Sequence, residues 1–200
     1  MKQLLTFILL FLFSRSMAQM PDYGLYNIHI TDSGKNVRTQ VIPFSGTIHP
    51  RAGLLYYWFG NNSVHEQQGG YSGKLLNGIY EESDKNHHLL QQGTFRNGLK
   101  EGTWKTWAES GRLTSIITWE AGIKTGKFTY FDNNGTEIQS GMYNLGQLEG
   151  KILYYPGTDS AKTVLYKNGK IIPARKGNFL KRINIFKKEK KEKVTQTPKP

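Results

Sequence analysis

Between residues 40 and 170 the apolar residues come in short runs separated by polar ones, and no window carries a 3.6-residue apolar period. Alternation of this kind predicts half-buried strands. Residues 103–107, 127–131 and 151–155 are rich in Trp, Phe, Tyr and Thr, side chains suited to a pleated surface. Each run stops at turn-forming residues: Glu109-Ser110-Gly111, Asp132-Asn133-Asn134-Gly135 and Pro156-Gly157-Thr158-Asp159. Return strands follow at 113–119, 137–143 and 161–166, and a Gly-x-x-x-Gly turn then delivers the chain to the next hairpin. The expected class is all-β, built from successive antiparallel hairpins.

These hairpins are copies of one unit. Phe95, Trp119 and Tyr143 recur at a spacing of 24 residues, as do Gly98, Gly122 and Gly146. Gly102, Gly126 and Gly150 form a second column that Gly78 extends backwards, Gly111 and Gly135 a third, and Trp107, Phe131 and Tyr155 a fourth. A fixed period of this length predicts an elongated repeat sheet, here about five units of ~24 residues over 41–172. The register weakens upstream: Tyr71, Gly78 and Tyr80 keep it, whereas His87 stands in the turn-glycine column. Gly53, Tyr56, Tyr57 and Gly60-Asn61 read as another, degenerate copy, and residues 19–40 follow no column and form a lead-in segment or edge strand.

Strand alternation puts Trp104, Phe128 and Ile152 on one face and Trp107, Phe131 and Tyr155 on the other. One ladder makes the core, and the pattern alone does not select which. Trp104, Trp107, Trp119, Phe131, Tyr143 and Tyr155 are the candidate partner-binding aromatics.

The Gly/aromatic spacing over residues 70–170 resembles the MORN-repeat variant of bacterial proteins, some of which are labelled YwqK-family antitoxins. The resemblance implies a ribbon of antiparallel hairpins and a role in protein or membrane-lipid association. It implies no catalytic site.

The ends of the chain carry different information. Residues 1–18 have the pattern of a secretory signal: Lys2, a ten-residue stretch over 4–13 that is apolar but for Thr6, and Ser16-Met17-Ala18 before a cleavage between Ala18 and Gln19. The expected location is periplasmic, outer-membrane-associated or secreted, and the absence of cysteine suits a bacterial envelope. The net charge of +12 is concentrated in the tail, where 175–200 holds ten Lys or Arg against two Glu. Within the 173–200 tail, Lys181, Arg182, Lys187, Lys188, Lys190 and Lys191 are the candidate contacts to anionic lipid or another polyanion. Alternatively, Phe179, Leu180, Ile183 and Phe186 cap the last hairpin and the charged remainder is disordered.

Candidate chemistry is sparse. Gly122-Ile123-Lys124-Thr125-Gly126-Lys127-Phe128 departs from a phosphate loop in its glycine spacing and in Phe128, which stands where a metal-binding hydroxyl is needed. The same slot recurs at 98–102 and 146–150, so it is a repeat turn. His87-His88 near Asp84 is the one histidine cluster, and adjacent strand residues face opposite ways. Glu101 and Glu149 hold equivalent repeat positions, which points to a structural requirement. The expectation is a non-enzymatic protein with no cofactor and no metal. It docks a protein partner at the envelope, with surface glycan or anionic membrane as the alternative ligand. Nucleic acid is not expected, because the domain shows no basic face interleaved with aromatics. The antitoxin role suggested by the family label is a third reading, in tension with export.

Overall fold

The computed structural model describes residues 24–32, 34–43 and 48–173. The signal segment, the Ala18–Gln19 junction and the tail basic residues lie outside them. Among the described residues there is no helix, and thirteen antiparallel strands form one open sheet of hairpins. In chain order they are β1 (Tyr26–Asp32), β2 (Lys35–Val41), β3 (Leu55–Gly60), β4 (Ser63–Gln68), β5 (Lys74–Asp84), β6 (Leu89–Arg96) and β7 (Leu99–Trp107). Then follow β8 (Leu113–Glu120), β9 (Ile123–Phe131), β10 (Glu137–Asn144), β11 (Gln147–Tyr154), β12 (Lys162–Lys167) and β13 (Lys170–Ile172).

From β5 to β13 each strand pairs with its sequence neighbour. The chain before this run departs from the expected row of stacked units. The β1–β2 hairpin, in the segment read as a lead-in, joins the sheet through β2 and β5. The β3–β4 hairpin, read as a degenerate copy in line, leaves the ladder. It is held by the start of β5 (Trp58 opposite Leu75, Phe59 opposite Lys74) and packs Tyr57, Phe59 and Val64 onto the buried Tyr80, Phe95 and Trp104. One backbone bond, Tyr57 N–H to Gly98 O at 2.7 Å, ties it across to the β6–β7 turn.

The Gly-x-x-x-Gly element is two devices, where a single turn was expected. The turns proper are Asn97-Gly98, Ala121-Gly122, Leu145-Gly146 and Asn168-Gly169, with positive φ at both residues (53° and 76° in the first). That is the two-residue geometry whose twist matches the strands it joins. The outgoing strands therefore begin at Leu99, Ile123 and Gln147, earlier than the aromatic runs suggested. The second glycine lies inside the strand. Between the pairs Gln92–Lys105 and Thr94–Glu101 strand β7 advances four residues while β6 advances two, and Gly102, at φ 66°, sits in that bulge. Bulges of this kind add twist and bend to a sheet.

The 24-residue period is enforced by bonds between successive units. Each turn glycine donates its N–H to a carbonyl of the preceding unit: Gly98 to Leu76 (2.7 Å), Gly122 to Lys100 (2.9 Å), Gly146 to Lys124 (2.9 Å) and Gly169 to Leu148 (3.0 Å). A side chain one residue further on accepts the neighbouring turn N–H. Asn77 accepts from Asn97 (2.9 Å), Glu101 from Ala121 (2.8 Å) and Glu149 from Asn168 (2.8 Å). The repeated glutamates are thus turn acceptors.

Candidate functional site

Directly paired residues of neighbouring strands share a face, so the register sorts the side chains into rows. One row is Trp104, Ile117, Phe128, Gly141 and Ile152, running across β7 to β11. Trp104 is 3% exposed, Phe128 is buried and Ile152 is 0% exposed, so this is the core row. Beside it on the same face run Thr106, Ser115, Tyr130, Gln139 and Tyr154. On the turn side of the core row lie Phe95, Lys100, Trp119, Lys124 and Tyr143.

The six candidate aromatics separate on this map. Trp104 belongs to the core and offers a partner no surface. Trp119 and Tyr143 share the aromatic face and are half-buried, with the Lys124 ammonium 5.6 Å and 5.3 Å from their ring centroids. Trp107 and Phe131 are half-buried at the ends of β7 and β9. Tyr155 falls just beyond β11, 50% exposed. The structure therefore gathers Trp104, Trp119 and Tyr143 and leaves the other three apart. It adds Tyr130, Tyr154 and Tyr166, of which the last two share a hydroxyl–hydroxyl hydrogen bond of 3.0 Å. Only the residue two positions before the expected turn column marks Tyr130 and Tyr154 in the sequence, a signal the stronger Phe131/Tyr155 column hides.

Under the β3–β4 hairpin the same face borders a half-open cavity of about 340 Å³. Its polar wall is built from Lys35, Glu66, Glu82, Tyr57, Tyr80 and Lys100. Glu82 is buried with both carboxylate oxygens engaged: Lys35 Nζ donates to Oε1 (2.6 Å) and Tyr80 Oη to Oε2 (2.9 Å). Burial, reinforced by the Glu82 carboxylate, pushes the Tyr80 hydroxyl well above the ordinary tyrosine range. Burial and Glu66 do the same to Tyr57. Both phenols are therefore fixed as neutral donors at physiological pH.

Lys100 lies within a three-ring cage, its Nζ 4.2 Å from the Trp104 centroid, 5.3 Å from Tyr57 and 5.4 Å from Trp119. Burial lowers its pKa, against the opposing pull of Glu66 and Glu82. The cage takes one ring from the folded-back hairpin and two from the repeat, a juxtaposition that sequence spacing does not reveal.

His87 and His88 sit in a turn organised by Asp84. Asp84 Oδ1 accepts the Asn86 and His88 backbone N–H groups (2.8 Å each), and its Oδ2 meets His88 Nδ1 at 3.1 Å. This is turn chemistry, and no group of three or more metal-capable side chains occurs among the described residues. Neither a family model nor a curated protein matches this chain.

Proposed function

We propose that the chain is a non-enzymatic binding module that docks a protein partner at the cell envelope through the aromatic face of its hairpin sheet. One observation carries this reading: the chain already docks a hairpin on that face. Over β5–β7 the β3–β4 hairpin covers Tyr80, Phe95 and Trp104. Over β8–β11 the same rows continue through Trp119, Tyr130, Tyr143 and Tyr154, all partly open to solvent. A partner segment has the same task there: to lay apolar side chains on the tyrosine rows and bond to the tyrosine hydroxyls. Tyrosine suits such a surface, because it offers a rigid ring and a hydrogen-bonding tip together. The secretory pattern of residues 1–18 supports a site of action outside the cytoplasm.

The test uses the purified chain as bait on envelope extract, beside a Tyr130→Ala/Tyr154→Ala variant and a Leu153→Ser control from the opposite face. Loss of the captured protein in the double variant alone is expected. Equal capture by all three, or no capture by any, defeats the proposal. Sequencing the N-terminus of the exported protein should give Gln19, and an intact Met1 in the cytosol would remove the envelope assignment.

A further inference from the structure

The cavity under the β3–β4 hairpin lies on the covered part of the aromatic face, beside the open rows of β8–β11. Its polar lining is unusual for packing alone. Two ammonium groups (Lys35, Lys100) and two carboxylates (Glu66, Glu82) line it, so these four formal charges cancel, and His65 adds an imidazole. Acceptors and donors are thus both present in an electrically balanced wall. An anionic ligand would meet Glu66 and Glu82, and a cationic one would meet Lys35 and Lys100.

The hydrogen-bonding capacity is also unevenly used. Glu82 is committed to Lys35 and Tyr80. The Lys100 ammonium carries three donors and lies among three aromatic rings. Gln91 adds a carboxamide with one acceptor and two donors, and Ser63 a hydroxyl. Ile30, Val37 and Val64 add apolar surface beside these polar groups. The volume falls in the range of small-ligand sites, which pair apolar walls with a few convergent polar groups.

We infer that this cavity binds a neutral polyhydroxylated ring, a single hexose or N-acetylhexosamine unit. Its hydroxyls donate to Glu66 and accept from Lys100 and Gln91, while its C–H face lies on Val37 and Val64. Such a ligand satisfies donors and acceptors together without adding charge to a balanced wall. Cation–π contact already orients Lys100, so little side-chain freedom is lost when the ligand binds. The site would let the module hold a sugar unit and a protein partner at once, on adjoining parts of one sheet.

Saturation-transfer NMR on the purified full chain tests this with glucose, galactose, mannose and N-acetylglucosamine as probes, and acetate and glycine as ionic controls. At least one sugar should receive saturation. Lys100→Met should weaken that sugar by about tenfold or more, the loss of one charge-assisted hydrogen bond. Should Lys100→Met fail to fold, Gln91→Ala at the cavity wall serves in its place, with Leu153→Ser on the far face as the unaffected control. Three results overturn the inference. These are no transfer to any sugar, transfer that survives the cavity variant unchanged, and a cavity-dependent response confined to acetate or glycine.

Discussion

The sharpest prediction concerns Gly93, a glycine that recurs two periods on as Gly141. It pairs with Tyr80 on β6, and a Cβ built there would lie 2.7 Å from Trp104 Cγ and closer still to two further ring atoms. Ordinary carbon contacts need about 3.5–4.0 Å, so the indole would have to retreat by roughly 1 Å. It has nowhere to go. Phe95 lies 4.8 Å away edge-on, Tyr80 lies 5.6 Å away, and Lys100 caps the ring. Overpacking of this kind costs ~1–3 kcal/mol. Displacing the indole also strains its Nε1–H bond to Thr94 O (3.2 Å), for about 1 kcal/mol more. Against this, alanine restricts the unfolded chain and returns about 0.4–1 kcal/mol. Gly93→Ala should therefore destabilise by ~1–4 kcal/mol, a Tm fall of roughly 2–14 °C by circular dichroism. The decisive control is a double-mutant cycle. In a Trp104→Leu background the clash partner is gone, and Gly93→Ala should become neutral or slightly stabilising. An equal cost in both backgrounds would refute the packing argument.

Further expectations follow from the faces, the turns and the tyrosines. Ile152 is fully buried and its neighbour Leu153 is 42% exposed. Ile152→Ala should thus cost ~2–5 kcal/mol in urea denaturation and Leu153→Ser under about 0.5 kcal/mol; similar losses would mean the faces are misassigned. Leu145 occupies a left-handed turn position (φ 47°) and is 78% exposed, so Leu145→Asn should raise stability by up to ~1 kcal/mol, and a loss would contradict the turn assignment. Tyr57, Tyr80 and Tyr143 are raised above the ordinary tyrosine range chiefly by burial, and Tyr154 is pushed up to about 12 by its bond to Tyr166. An acid raised on folding stabilises below its unfolded pKa and loses that stabilisation as pH climbs through the folded value. Lys100, lowered by burial, acts oppositely as pH rises, but it is one group against four. Stability should therefore fall above about pH 10, with phenolate absorbance rising together with unfolding; full tyrosine titration near pH 10 in the folded protein would disprove it.

Much of the architecture was legible because it is local and periodic. Gly98, Gly122 and Gly146 announce turns that demand positive φ, and the aromatic runs announce strands, whatever surrounds them. The repeated Glu101 and Glu149 also read correctly as structural, since one role recurring at one position is what a repeat requires. The bulge at Gly102 was not legible as a bulge. A glycine with positive φ inside a strand and one that closes a turn leave the same letter in the sequence, and only pairing to β6 distinguishes them.

The chain by itself determined the hairpin period, the strand class and the two alternating faces, because backbone sterics and side-chain alternation act within a few residues. The tertiary structure decided which face is the core, and over β5–β7 it did so by one long-range event. The β3–β4 hairpin folds back onto Trp104, Phe95 and Tyr80, and borders a half-open polar cavity where the repeat alone would expose a flat face. That contact joins residues about forty positions apart whose pairing no local pattern encodes, and the Lys100 cage exists only because Tyr57 arrives from the far side of it.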